Sequence, residues 1–100
     1  MLTVSTNVLD FGTIKQTGPK WKGVVEVTNI SNNQVKDVHT TASCGCTRPS
    51  LPSLFEPNQS HTMEVVFDPS GKSGNILKTI TIISAGQNPI QIKLKGVITK

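Results

Sequence analysis

Ser43-Cys44-Gly45-Cys46-Thr47 holds both cysteines of the chain, one glycine apart. Paired thiols open three kinds of chemistry: metal ligation, thiol redox and nucleophilic attack. A closed structural zinc site needs four ligands, and the pair supplies two. The remaining candidates are His39, five residues before Cys44, and His61, which joins only if its strand passes close by. A disulfide between Cys44 and Cys46 would close a very small ring, strained and easily reduced. The thioredoxin-type motif has two residues between its cysteines and opens a helix, and neither feature is present. Nucleophilic catalysis needs a base held against the thiol, a part for which His39 is the only nearby residue.

Against these stands a plainer reading. One cysteine packs as a small hydrophobe while the other faces outward or sits under Phe55, with Gly45 allowing a tight backbone between them. Cys44 and Cys46 are then read as pinning a corner of the fold, and a metal or thiol-redox protein using Cys44, Cys46 and His39 is the alternative. The six carboxylates are scattered among strands and turns. Gly71-Lys72-Ser73-Gly74 lacks the glycine spacing and following helix of a phosphate loop. The reading therefore names no catalytic residue, no resident metal and no cofactor.

The elements that must position these residues read as strands. Ile90, Ile92, Leu94, Gly96 and Ile98 alternate with Gln91, Lys93, Lys95 and Val97, the period-two pattern of a strand with one buried face. Ile80 and Ile82 alternate with Thr79, Thr81 and Ile83 just before it, and Ala85-Gly86-Gln87-Asn88-Pro89 supplies the turn of a hairpin. Met63, Val65 and Phe67 mark another strand, which ends at Asp68-Pro69-Ser70-Gly71. Trp21, Gly23, Val25 and Val27 mark a further one, with Trp21 at the core or its edge. Val35 and Val38 begin a strand leading into the cysteine motif. Leu2 and Val4, then residues 8–11, suggest a first strand that bends or switches sheets. No segment carries the spacing of an amphipathic helix.

Six or seven short strands with turn signals between them predict an all-β fold, an immunoglobulin-like sandwich of two antiparallel sheets with about seven strands. One hundred residues suit a single domain, residues 1–100. With aromatics at 4%, Val, Ile and Leu must fill its core. The net charge is +4, and no carboxylate follows Asp68. A nucleic-acid face pairs such charge with arginines or stacking aromatics, whereas here Arg48 is the one arginine and tyrosine is missing. The lysines read instead as solubilising exposed strand faces and blunting sheet edges.

No apolar run approaches the ~20 residues of a membrane helix, and residues 1–7 lack the basic and apolar regions of a signal peptide. The expectation is a chain made and kept in the cytoplasm. Asn29-Ile30-Ser31 and Asn58-Gln59-Ser60 match the glycosylation acceptor pattern, but without secretion they read as turns.

Asp10-Phe11-Gly12-Thr13-Ile14, the strand from Val25, Ser43-Cys44-Gly45-Cys46-Thr47, and Val66-Phe67-Asp68-Pro69 before Gly71-Lys72-Ser73-Gly74 recur in one known order. Together they resemble a bacterial domain of unknown function marked by a Cys-Gly-Cys-Thr motif, itself similar to Hydin-type and major-sperm-protein-type immunoglobulin-like modules. The resemblance covers about residues 8–98. It implies a seven-stranded sandwich used as an interaction module, without established catalytic activity. Members often follow a secretion or lipoprotein signal or sit in larger proteins.

A bare domain with its own Met1 departs from that pattern. It suits a subunit docking on a larger assembly, such as a decoration or auxiliary capsid-type protein of a phage particle, and hence a virion location. The expected contact lies on residues 48–58, where Pro49, Pro52 and Pro57 present Arg48, Leu51, Leu54 and Phe55 to a protein partner. An exposed sheet edge is the other expected route to a partner.

Overall fold

The structure is a computed structural model that describes residues 1–43, 45 and 47–100; Cys44 and Cys46 lie outside the described residues. The described residues form eight strands in order: β1 (Leu2–Val4), β2 (Val8–Lys15), β3 (Trp21–Asn29), β4 (His39–Ala42), β5 (Thr47–Ser50), β6 (Ser60–Phe67), β7 (Gly74–Ile83) and β8 (Ile90–Thr99). They form two four-stranded sheets, ordered β1-β3-β6-β5 and β2-β8-β7-β4. No helix among the described residues is long and apolar enough to cross a membrane.

The alternation in the sequence sets the registers. Ile80 lies opposite Ile92 and Ile82 opposite Ile90 in the β7–β8 hairpin, while Val25 faces Met63 and Trp21 faces Phe67 across β3 and β6. A one-residue slip would turn each apolar set to solvent, so the buried face itself fixes the pairing. Val25, Val27, Met63, Val65, Ile80, Ile82 and Ile92 are all buried between the sheets.

Three expectations need correction. Among the described residues there are eight strands rather than about seven, and β2 runs parallel to β8. Val35 and Val38 are buried but precede the strand. Val35 makes one isolated bridge to Phe55, and Asp37 adopts a left-handed backbone (φ 56°) that interrupts extension until His39. Residues 48–50, the start of the expected contact segment, belong to edge strand β5 (Thr47–Ser50) on β6. Pro49 is tolerated there because an edge strand leaves one side without a ladder.

The two shortest of the five sheet changes along the chain run from β1 to β2, between Val4 and Val8, and from β4 to β5, between Ala42 and Thr47. Sheets pack about 10 Å apart and an extended chain covers ~3.3–3.6 Å per residue, so such short segments suffice. Each of these two begins at a serine that ends a ladder in the same way. The Ser5 N–H donates to the Glu26 carbonyl at 3.0 Å and its Oγ accepts the Glu26 N–H at 3.1 Å. The Ser43 N–H donates to the Thr79 carbonyl at 3.0 Å and its Oγ accepts the Thr79 N–H, also at 3.0 Å. In both, a hydroxyl replaces the serine's own carbonyl as acceptor. The backbone is then free to turn away without stranding the neighbouring amide.

One end of the sandwich is aromatic. Phe11 stacks on Phe67 with ring centres 5.1 Å apart and tilts against Trp21 at 5.9 Å. Leu94, Ile98 and Ile76 complete the cluster. Two glycines make room for it: a Cβ on Gly96 would lie 2.4 Å from the Phe11 ring, and one on Gly23 would lie 2.2 Å from the Trp21 ring. Trp21 is thus a core-edge residue, as its place in the alternation suggests.

Candidate interaction surface

Of the expected contact residues, Arg48 is exposed on β5 and Leu54 is 41% exposed. Leu51 is half-buried against the core. Phe55 is wholly buried, which corrects its place on the expected surface. Its N–H donates to the Val35 carbonyl and its carbonyl accepts the Val35 N–H, each at 2.9 Å, and its ring and that of His61 meet edge to face with centres 4.8 Å apart. Residues 51–59 therefore carry an aromatic inward rather than display an apolar loop. The prolines suggested exposure; the need to fill the core between β6 and residues 35–38 prevailed.

The two histidines do not converge. His39 faces outward at the start of β4 with its Nδ1 3.1 Å from the Asp37 carbonyl, while His61 faces inward on β6, in the other sheet. Along β4, His39 stands about 13 Å from Ser43. Cys44 and Cys46 lie outside the described residues, and among those described no three His, Cys, Asp or Glu side chains gather as metal ligands would.

Near Gly45 a small concavity is lined by Lys20, Arg48, Val66 and Asp68. Asp68 accepts the Ser70 N–H at 3.0 Å. That bond, the Ser70 hydroxyl and the charges of Lys20 and Lys72 hold its carboxyl below the usual carboxylate range, against a small opposing effect of burial.

A different region stands out at the sheet edges. Because β4 pairs only with residues 80–83 of β7, and Ser43 closes the ladder at Thr79, residues 74–78 have no strand beside them on that side among the described residues. Thr79 bonds toward β4, so by strand alternation Asn75 and Leu77 also aim their N–H and C=O groups out of this open side. Leu77 is 66% exposed and Asn75 and Gly74 are exposed.

The side chains here invert the strand's own pattern. Leu77 stands in the outward series with Asn75, Thr79 and Thr81. Lys78 stands in the inward series with Ile80 and Ile82, opposite the buried Leu94, and is half-buried. The outward face continues with Val97, Lys95 and Lys93, whose Nζ donates to the Thr79 hydroxyl at 3.0 Å. Leu77, Val97 and Lys95, with Asp10 and Thr13 of β2, line a shallow groove. The adjacent Leu-Lys inversion was visible in the sequence. The open edge beside it was not, since that depends on where β4 stops.

Residues 2–98 match the family described as Protein of unknown function (DUF1573). The chain belongs to that family. No curated protein matches it. Among solved structures, the DUF1573 chain is similar to a protein of unknown function from Porphyromonas gingivalis W83, with a TM-score of 0.78 and 19% identity, and covers 96% of this chain and 46% of that one. It therefore spans less than half of that protein. It is also similar to the ASH/PapD-like domain 7 of human CEP192, with a TM-score of 0.77, 15% identity and coverage of 99% and 85%. The Pseudomonas aeruginosa CupB2 chaperone matches at a TM-score of 0.65 and 13% identity, over 96% of this chain and 55% of the chaperone. These likenesses establish an immunoglobulin-like, PapD-like β-sandwich.

Proposed function

We propose that this DUF1573 chain is a non-catalytic interaction module that docks on a larger protein assembly through the open side of β7. The carrying observation is that exposed Leu77 adjoins backbone groups of Asn75 and Leu77 that β4 leaves without a strand partner. Such an edge offers main-chain hydrogen bonds to an added strand, and neighbouring side chains set which strand is accepted. The PapD-like fold, shared with a chaperone and a CEP192 domain, supports protein contact as the role. A phage particle is the assembly we propose, with the chain as a decoration or auxiliary subunit and hence located on the virion. Kinship with Hydin-type and major-sperm-protein-type modules belongs to the same reading.

Gradient sedimentation of the tagged chain expressed in its native host tests this. The proposal expects it to travel with a large particle, and Leu77→Pro to return it to the top of the gradient. Proline suits that position because the Leu77 N–H points away from β8. A wild-type chain found only at the top would overturn the proposal.

A further inference from the structure

Resting on the reading of β7 as the docking edge, we infer that its partner is an extended segment of another protein that places an acidic side chain inward beside Lys78 and an apolar one outward beside Leu77. Lys78 shares the inward face with Ile80 and Ile82, lies opposite Leu94, and is half-buried. No ion pair to it occurs among the described residues. A strand added on the open side of residues 74–78 would extend the sheet, and its alternate side chains would fall beside Lys78 on the inner face and Leu77 on the outer.

An inward lysine at an edge discourages indiscriminate pairing. An apolar inward residue on the incoming strand would bury that ammonium without a counter-charge, whereas a carboxylate would pair with it. The surroundings reinforce the preference for acid. Lys93 and Lys95 lie on the adjoining face of β8, with Asp10 opposite Lys95, Lys72 precedes β7 by two residues, and no carboxylate follows Asp68 in the sequence. Outward, the exposed Leu77 and Val97 form an apolar strip that a Val, Ile or Leu on the added strand would cover.

A second copy of the chain does not match this demand. Of the four outer strands of the sheets, β1, β4 and β5 contain no carboxylate, and the one on β2, Asp10, faces outward opposite Lys95. Glu26 and Glu64 lie on β3 and β6, opposite Thr62 and Val24, and face outward. The remaining three carboxylates, Asp37, Glu56 and Asp68, lie outside the strands, so no strand of a second copy brings an inward carboxylate and the partner is a different protein.

The test uses blocked peptides of about eight residues alternating valine with glutamate, glutamine or lysine, titrated into the isotope-labelled chain while its amide NMR signals are followed. The glutamate peptide is expected to shift the Asn75 and Leu77 signals and to bind at least about tenfold more tightly than the glutamine peptide, a difference of ~1.4 kcal/mol. Lys78→Glu is expected to reverse the order in favour of the lysine peptide. Leu77→Pro is expected to abolish binding of all three.

Equal binding of all three peptides at residues 74–78 would overturn the acidic preference and leave the docking edge standing. Binding that never perturbs residues 74–78, or that survives Leu77→Pro, would overturn both. Shifts of these signals with protein concentration alone, accompanied by dimer formation, would assign the edge to a second copy and also refute the inference. Retention of the dispersed amide spectrum in each variant shows that it folds, so loss of binding is read as loss of the site.

Discussion

The two shortest crossings between the sheets, after β1 and after β4, share a hydrogen-bonding device and differ in what they leave behind. Ser5 and Ser43 each end a ladder by offering Oγ to the amide of the last paired residue, Glu26 or Thr79. Beyond Glu26 the open side of β3 carries an exposed Val24 between outward Lys22 and Glu26, and Trp21 folds over Gly23 beneath it. Glu26 also accepts a bond from the Thr62 hydroxyl. Beyond Thr79 the open side of β7 sets Leu77 outward and Lys78 inward. Both edges thus carry an exposed apolar residue, Val24 or Leu77, and β7 alone sets a lysine inward beside it. Ending a strand is therefore separate from the docking edge we propose: the serine does the first, and the Leu77–Lys78 inversion is the feature that carries the proposal of the second.

The largest effect is expected where both open strands rest on the aromatic end. Gly96→Ala pushes into the Phe11 ring, which is held by Phe67, and is expected to cost about 1–3 kcal/mol in urea unfolding. Gly23→Ala meets the Trp21 ring, which is half-exposed and can swing outward, so its cost is expected to be the smaller of the two. The opposite order would mean that Trp21, not Phe11, anchors this end.

Next come the serines. Ser5→Ala and Ser43→Ala are each expected to lose roughly 0.5–1.5 kcal/mol, since each removes one acceptor from an exposed amide. As the two sites lie on different edges of different sheets, the double variant is expected to show the sum. A large loss for one and none for the other would break the parallel between the switches.

Leu77→Thr restores the polar outward series of β7, and Val24→Thr makes the matching change on β3. Both are expected to alter stability by less than about 0.5 kcal/mol, as surface changes do, yet only Leu77→Thr is expected to weaken partner binding. Equal losses of binding would erase the distinction between the edges.

The smallest expected effect is on pH dependence. The folded-state pKa of Asp68 is lowered, chiefly by the Ser70 N–H, so its contribution to stability is present above the unfolded value of about 3.9 and is lost as pH falls through the folded value. Asp68→Asn is therefore expected to flatten the acid limb slightly below about pH 4 in thermal melts and leave the neutral region's slope unchanged. An unaltered acid limb would contradict this.

Most of the fold was legible because the apolar series on β3, β6, β7 and β8 is regular, and a buried face permits one register. The break between Val4 and Val8 likewise gave away the first sheet change. The parallel β2–β8 pair was not legible, since alternation reports which face is buried and not which neighbour is paired. Val35 and Val38 looked like a strand because both are apolar. Only the left-handed Asp37 shows why they bury without one.

The contact surface was less readable. Phe55 sits in a proline-rich stretch whose composition suggests exposure, and its burial follows from a gap between distant segments. The reading of Cys44 and Cys46 as a corner falls on residues outside those described. The edge that matters most is created by β4 ending at Ala42, a length that no pattern in residues 39–43 announces.

The central claim is that β7, and not β3, is the docking edge. Amide hydrogen exchange of the chain, free and bound to its assembly, tests it most directly. The account predicts strong added protection at Asn75 and Leu77 and none at Val24, because new main-chain hydrogen bonds would form only on the open side of β7. Protection at Val24 with Asn75 and Leu77 unchanged would contradict it.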